Sequence, residues 1–281
     1  MNKLNRAEQR QIIRLLVEGN SLRSTSRISG HSINTVTKLL VDLGTACEGF
    51  LDTALLDLPC TRIECDEIWA FCYPKERNVP DERKNEVGMG DVWTSVALDP
   101  DTKLVVTWLV GERDQISANA FLKDLGSRLR NRVSLTTDGH SPYLDAVERA
   151  FGSGIDYAML IKQYGVDDNM AASPTARRYS PHKVTGEEVR VIKGEPHGIS
   201  TSYIERQNLT MRMGMRRFTR LTNAFSKKFD NHAHAVALHF MYMNFARPHK
   251  SLANPYRRTP AMAAGIADHV WTCEEIAGLL G

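Results

Sequence analysis

The chain of 281 residues has no apolar run approaching the ~20 residues that a membrane-spanning helix needs, and its N-terminus has no signal-peptide pattern. Cysteine is scarce. Cys47, Cys60, Cys65, Cys72 and Cys273 are odd in number and include no CxxC pair. That pattern argues for buried or indifferent thiols in a reducing compartment, with a zinc site as the lesser alternative. No internal repeat or low-complexity tract is present, which excludes a solenoid and a disordered tail. These absences together predict a cytoplasmic protein without a membrane partner.

What is present is ordinary in bulk, with 42% hydrophobic and 25% charged residues. The length suits one large domain plus a small one. The formal net charge of +3 hides an uneven distribution. Between Ser200 and Arg258 there are eleven Lys/Arg and two acids, Glu205 and Asp230, whereas acids lead between Glu48 and Asp101. The first region suits a polyanion and the second a cation.

Residues 1–44 read as three short helices. Asn5 can cap the first, and Ile12, Ile13, Leu15 and Leu16 supply its apolar spacing. In "GNSLRSTSRISGHSINTVTKLLVDLG", Gly19-Asn20 breaks the chain and Gly30-His31 makes a tight turn between two more helices. Helix, Gly-containing turn, helix is the helix-turn-helix layout, whose last helix enters the DNA major groove. There Val36, Leu39 and Leu40 pack inward, Asn34, Thr37 and Lys38 face out, and Thr35 is placed for phosphate. A plain three-helix unit for protein contact is the competing reading; seven Lys/Arg against three acids favour DNA. Residues 45–59 read as a linker, helix or loop, closed by Pro59.

A different rhythm follows over 60–247. "TRIECDEIWAFC", "DVWTSVALDP" and "KLVVTWLVGE" are rich in β-formers, and the turn-like "DPDT" joins the last two. "ISANAFLKDLGSRLR" then reads as helix, "VSLTTDG" as strand, "SPYLDAVERAFG" as helix and "IDYAMLIKQYG" as strand. Three strands in meander followed by alternating helix and strand is the order of a ribonuclease-H-like α/β core. Residues 166–198 break the alternation and read as an insertion with a hairpin turning at Thr185-Gly186. A cationic helix over 200–220, an amphipathic helix over Ala224–Phe245 and a basic tail over 248–281 complete the chain.

Two-metal phosphoryl transfer needs several hard carboxylates converging from separate elements, with ions ~3.5–4 Å apart. Asp66 in the first strand, Asp138 at the end of the fourth and Glu205 in the helix after the insertion are such a set. Glu205 is the lone acid among five arginines over Ser200–Arg220. On a 3.6-residue period it shares a face with Asn208, Arg212 and Arg216, so it can ligate metal while its neighbours meet DNA phosphates. Glu67 adjoins Asp66, but alternation sends neighbouring strand side chains to opposite faces, so one of the pair is expected in the site, and Asp66 is preferred. Glu187 and Glu188 are alternatives to Glu205, in a solvated turn. His140 is either a phosphate contact or a surface cap. His232, His234 and His239 read as the polar edge of a packed helix, because i and i+2 positions cannot converge on one metal.

"CDEIW", "TTDGH" and "STSYIERQNLTMRMGMRRFTRLTNAFSKKF" resemble bacterial insertion-sequence transposases of the DDE type, closest to the insertion-sequence-one-like group. "RPHKSL…TPAMAAG" is similar to the end of many such cores. The resemblance implies a ribonuclease-H-like core, two Mg²⁺ or Mn²⁺ ions, and cleavage at element ends with strand transfer into target double-stranded DNA. It carries Asp66, Asp138 and Glu205 over as the triad. Arg217, Arg220, His249 and Lys250 join Asn34, Thr35, Thr37, Lys38, Asn208, Arg212 and Arg216 as expected DNA contacts. A homodimer or higher oligomer on DNA, at the nucleoid, is expected because synapsis joins two ends. Two departures stand out: no cysteine-pair zinc finger precedes the helix-turn-helix, and the interval from Asp138 to Glu205 is long. The rival functions are a sequence-specific DNA-binding regulator on an inert core, which would not need three acids, and a structure-selective nuclease, which would not need a sequence reader.

Overall fold

A computed structural model describes residues 4–84, 86, 88–165, 183–219 and 223–281. Helix α1 (Arg6–Val17) opens with a reciprocal capping box between Asn5 and Glu8, which satisfies two N–H groups that the first turn leaves without partners. Helix α2 (Leu22–Ser29) ends at Gly30, whose φ of 75° is the left-handed conformation glycine adopts without strain. Ser32 caps α3 (Ile33–Ala54), which continues through residue 44 and takes in most of the segment 45–59.

Six strands form one mixed sheet: β1 (Arg62–Cys72), β2 (Gly90–Leu98), β3 (Val105–Gly111), β4 (Ser134–Thr137), β5 (Asp156–Gly165) and β6 (Lys183–Lys193). Their order is β3-β2-β1-β4-β5-β6. The first three make an antiparallel meander, β4 and β5 run parallel to β1, and β6 returns antiparallel to β5. This arrangement is compatible with a ribonuclease-H-like core. Helices α4 (Gln115–Arg128) and α5 (Pro142–Phe151) cover one face, where Cys65, Leu135, Phe121 and Leu125 share a core. Helices α6 (Ser202–Gly214) and α7 (Phe229–Met241) cover the other, with Ile204, Met211 and Phe240 packed on Ile68 and Val96. Short helices α8 (Pro260–Ala263) and α9 (Cys273–Gly278) close the chain, and α9 packs against α1. All five cysteines are free and buried. Among the described residues no helix is long and apolar enough to cross a membrane.

Three expectations are corrected. Thr185 and Gly186 lie inside β6, where Gly186 pairs with Gln163 and Val184 with Tyr164 of β5 and Thr185 is the extra residue of a register shift, so the expected hairpin turn is strand; residues 166–182 of the expected insertion lie outside the described residues. Helix α6 stops at Gly214 because Met215 leaves helical geometry (φ −128°, ψ 105°) to bury itself beside Met211. Of the alternating methionines, Met213 is the exposed one. Helix α7 starts at Phe229 rather than Ala224, because Ser226 bridges to Cys72 at the end of β1 and holds the chain extended. A π turn over Tyr242–Ala246 follows, and its Asn244 amide both donates to and accepts from the backbone of Val105.

The N-terminal helices share the main core: Ile12, Val36 and Leu43 belong to one buried cluster with Leu238 and Met241 of α7. The closest approach is at Gly44, where an added Cβ would lie 2.3 Å from the His234 Cβ. Gly44→Ala is therefore expected to destabilise the protein by about 1–3 kcal/mol through overpacking. Chemical denaturation would detect it; an unchanged midpoint would show that α3 and α7 can separate without loss.

Candidate active site

The site forms where two neighbouring strands differ in length. Strand β4 ends at Thr137, opposite Cys65, while β1 runs on to Cys72. Among the described residues no strand lies beside that side of β1 from Asp66 until Ser226 bridges to Cys72, and Asp138 sits just past the end of β4. Ligand atoms of Asp66, Glu67 and Asp138 all lie within 4.8 Å of one another, and among the described residues this is the group of acids, histidines or cysteines able to hold a metal. The expectation that one of Asp66 and Glu67 would be excluded is corrected. Alternation separates neighbours within a sheet, but beyond the end of β4 both carboxylates reach the open edge.

Each acid has partial support. Asp66 Oδ1 accepts the Glu67 backbone N–H at 2.8 Å, and Oδ2 accepts the Asn208 amide at 2.9 Å. Asp138 Oδ1 accepts the His140 N–H at 2.9 Å. The Arg113 guanidinium, stacked on the Trp93 ring, pairs with Glu67 at 3.1 Å and with Asp138 at 3.5 Å. This support does not cancel the repulsion. Burial, then the charges of Asp138 and Glu67, push the Asp66 pKa up to about 7. Burial and Asp138 also raise Glu67, against the pull of Tyr143 and Arg113. The Tyr143 hydroxyl lies near Glu67 outside good hydrogen-bond geometry, so buried Glu67 Oε1 has no hydrogen-bond partner.

Three hard oxygen donors, an unpartnered carboxylate oxygen and unrelieved like charge fit a divalent cation of the Mg²⁺ or Mn²⁺ kind.

Glu205 is placed differently. It lies one helical turn before Asn208 on α6, near enough for its charge to raise Asp66. Its Oε1 accepts from Lys162 Nζ at 2.5 Å and Thr201 Oγ1 at 2.8 Å, and it stands outside the cluster of three. Glu187 and Glu188 lie on β6, away from that cluster.

The expected DNA contacts divide. Asn34, Lys38, Arg216 and Lys250 are exposed, with Lys38 paired to Asp42. Thr35 and Thr37 hydrogen-bond within α3, to Ser32 and the Ile33 carbonyl. Asn208 is buried, and its amide holds Asp66 rather than a phosphate. Arg212 is half-buried on α6, whose end at Gly214 takes Arg216 off the shared face. Arg217 donates inward to the Asn231 carbonyl at 2.7 Å and to Ser226 Oγ at 3.2 Å. Arg220 lies outside the described residues. His249 is half-buried, and after burial the nearby Lys103, Arg247 and Arg206 lower its pKa. His232 and His239, expected at a polar edge, are buried; burial lowers them to about 3 and about 4, so both are neutral. His140 stacks edge-on against Tyr143. Sequence reasoning missed Glu64, Arg113 and Lys162. Of these, "CDEIW" being preceded by a second acid was the one local signal.

No protein-family model matches the chain, and no characterised protein matches it in sequence. Among solved structures it is similar to the Mos1 strand transfer complex, at 12% identity over 86% of this chain and 78% of that one, with a TM-score of 0.25. A likeness that slight decides neither fold nor activity.

An acid whose folded pKa lies near 7, against about 3.9 when unfolded, favours the folded state most at low pH. That contribution is lost as pH rises from about 4 through 7. Metal-free protein is therefore expected to lose stability over this window, and Asp66→Asn should flatten the slope and melt higher than wild type at pH 8. Asn208 can turn its free buried Oδ1 toward the new amide. Thermal melts with and without Mg²⁺ check this; a wild-type slope unchanged in Asp66→Asn would mean that the three charges are already balanced.

Proposed function

We propose that the protein is a metal-dependent DNA transposase of the DDE type, with a ribonuclease-H-like core and an N-terminal helix-turn-helix. The observation that carries this reading is the convergence of Asp66, Glu67 and Asp138 at the open edge of β1. In the proposed reaction water attacks a phosphorus at the element end and breaks its P–O3′ bond, leaving the phosphate on the 5′ side. The freed 3′-OH then attacks a target phosphodiester, whose own P–O3′ bond breaks and whose 3′-oxygen leaves and takes up the proton. Asp66 and Asp138 would hold a divalent cation, which when bound would stabilise the charge that develops on the transferred phosphate. Asn208 fixes the orientation of Asp66, and Arg113 holds Glu67 beside Asp138. Glu205 is the proposed third acid. To serve there it would have to leave Lys162 and Thr201, and its charge already acts on Asp66. Proximity and charge stabilisation account for the chemistry without a covalent protein–DNA intermediate.

Recognition is assigned to α3. A groove of about 640 Å³ between the N-terminal helices and the segment after α6 is lined by Asn34, Arg23, Arg216, Lys227 and Lys228, which suits a phosphate backbone. Asn34→Ala with Lys38→Ala is expected to weaken binding to the element ends about 10-fold or more while leaving the fold intact. Gel-shift titration measures it, and unchanged binding would remove α3 from recognition.

The decisive experiment incubates DNA carrying the gene's own flanking sequence with Mg²⁺ or Mn²⁺. Wild type should nick at one defined position. Asp66→Asn, Asp138→Asn and Glu205→Gln should each reduce nicking on the order of 10²–10³-fold with DNA binding retained. Loss in Glu67→Gln but not in Glu205→Gln would make Glu67 the third acid. Binding without nicking in the wild type would replace the transposase by a regulator.

A further inference from the structure

Strand β6 is one edge of the sheet, and among the described residues no strand pairs with its outer side. Edge strands are normally blunted by charges, prolines or brevity, because a free row of N–H and C=O groups invites another strand. β6 runs from Lys183 to Lys193 without proline, and its Val189 and Val191 are 50% and 58% exposed. Between the terminal lysines its charges are Glu187, Glu188 and Arg190. Over Glu187–Val191 the pairing to β5 has no register shift, so the outer edge there is regular strand.

The order of those charges selects one partner. Two copies of one strand pair antiparallel about a two-fold axis perpendicular to the sheet, which keeps each face on its own side. A residue then stands opposite one an even number of positions away, and the axis passes through a single residue. An axis through position 187 or 188 sets a glutamate against itself, and one through 190 sets an arginine against itself; like charges directly opposite are destabilising. An axis through Val189 stacks valine on valine and places Glu188 opposite Arg190 twice. Axes nearer either end shorten the ladder and lose that pair. Glu188 and Arg190 already contact each other within the strand at 2.6 Å, so the two strands would close an alternating ring of four charges.

We propose that β6 is a self-association edge, on which a second copy of this chain adds antiparallel about an axis through Val189. The sheet then runs continuously through both protomers, with main-chain hydrogen bonds supplying affinity and the 188/190 charges supplying register. This inference does not depend on the transposase reading.

Sedimentation velocity on the full chain without DNA tests it. Wild type should dimerise at micromolar concentration. Glu188→Arg and Arg190→Glu should each weaken dimerisation on the order of 10-fold or more, since each sets like charges opposite at two places. An equimolar mixture of the two variants should recover association as a mixed dimer, because every position 188 then meets an opposite charge at position 190. No role confined to one chain predicts that recovery. Val189→Lys, which keeps the native charges but sets two lysines on the axis, should also dissociate the dimer and replaces either variant if it fails to fold by circular dichroism. A monomeric wild type, single variants that associate as wild type does, or a mixture no tighter than its components would overturn the proposal.

Discussion

Mutual repulsion among Asp66, Glu67 and Asp138 is the constraint to which the centre of this molecule is built. Three carboxylates within 4.8 Å oppose folding unless something holds them. Each nearby contact reads as part of that restraint: the Asn208 amide and Glu67 N–H on Asp66, the His140 N–H on Asp138, and Arg113 across Glu67 and Asp138. Arg113 is itself held by its stack on Trp93. The residual strain is visible in Asp66, raised to about 7. A group of acids left in this condition is more simply understood as a site than as scaffold, since a buried structural role is served better by apolar side chains.

Asn208 can restrain Asp66 only if α6 is fixed relative to β1, and a fourth acid does that. Glu64 is 2% exposed, and its Oε2 accepts the backbone N–H groups of Tyr203 and Ile204 at 3.0 and 2.9 Å. Thr201, at the N-cap position, makes no side-chain cap of its own, so Glu64 caps the helix from the strand it lies on. Glu64 and Asp66 point to the same face of β1, two residues apart. One face of one strand thus anchors the helix and receives its amide.

Much of this was legible in order of chain, and less of it in contact. The strands from Arg62 to Gly165 and the helices between them followed from periodicity, because each repeats its signal over several residues. Strand β6 did not: Gly186 among charges looks like a turn until β5 lies beside it. Glu67 was set aside by alternation, which does send Asp66 toward Asn208 and Glu67 toward Tyr143 on opposite faces, yet with no β4 beside them both carboxylates reach the open edge. Helical periodicity placed Asn208 correctly on the face of Glu205, yet could not say whether that face looks at phosphate or at Asp66. Arg113 and Lys162 gave no local sign at all, because Arg113 meets Glu67, 46 residues away, and Asp138 on another element, while Lys162 meets Glu205, 43 residues away. Arg217 read as a free cation, and only the fold supplies the Asn231 carbonyl that receives it.

The same geometry limits what Glu205 can do. Its helix is capped by Glu64 at one end and pinned by buried Ile204 and Met211 along its length, so α6 has no freedom to slide toward Asp138. Whatever brings Glu205 to the cluster must act through its own side chain. That side chain is 44% exposed and answers to one ammonium, Lys162, and one hydroxyl, Thr201. Lys162 is the more enclosed partner, its side chain 16% exposed, so water screens the pair only from the Glu205 side. A divalent cation held among the three carboxylates would offer Glu205 the greater charge. Any approach of Glu205 to the acid cluster therefore requires it to leave Lys162 and Thr201 while α6 stays capped by Glu64.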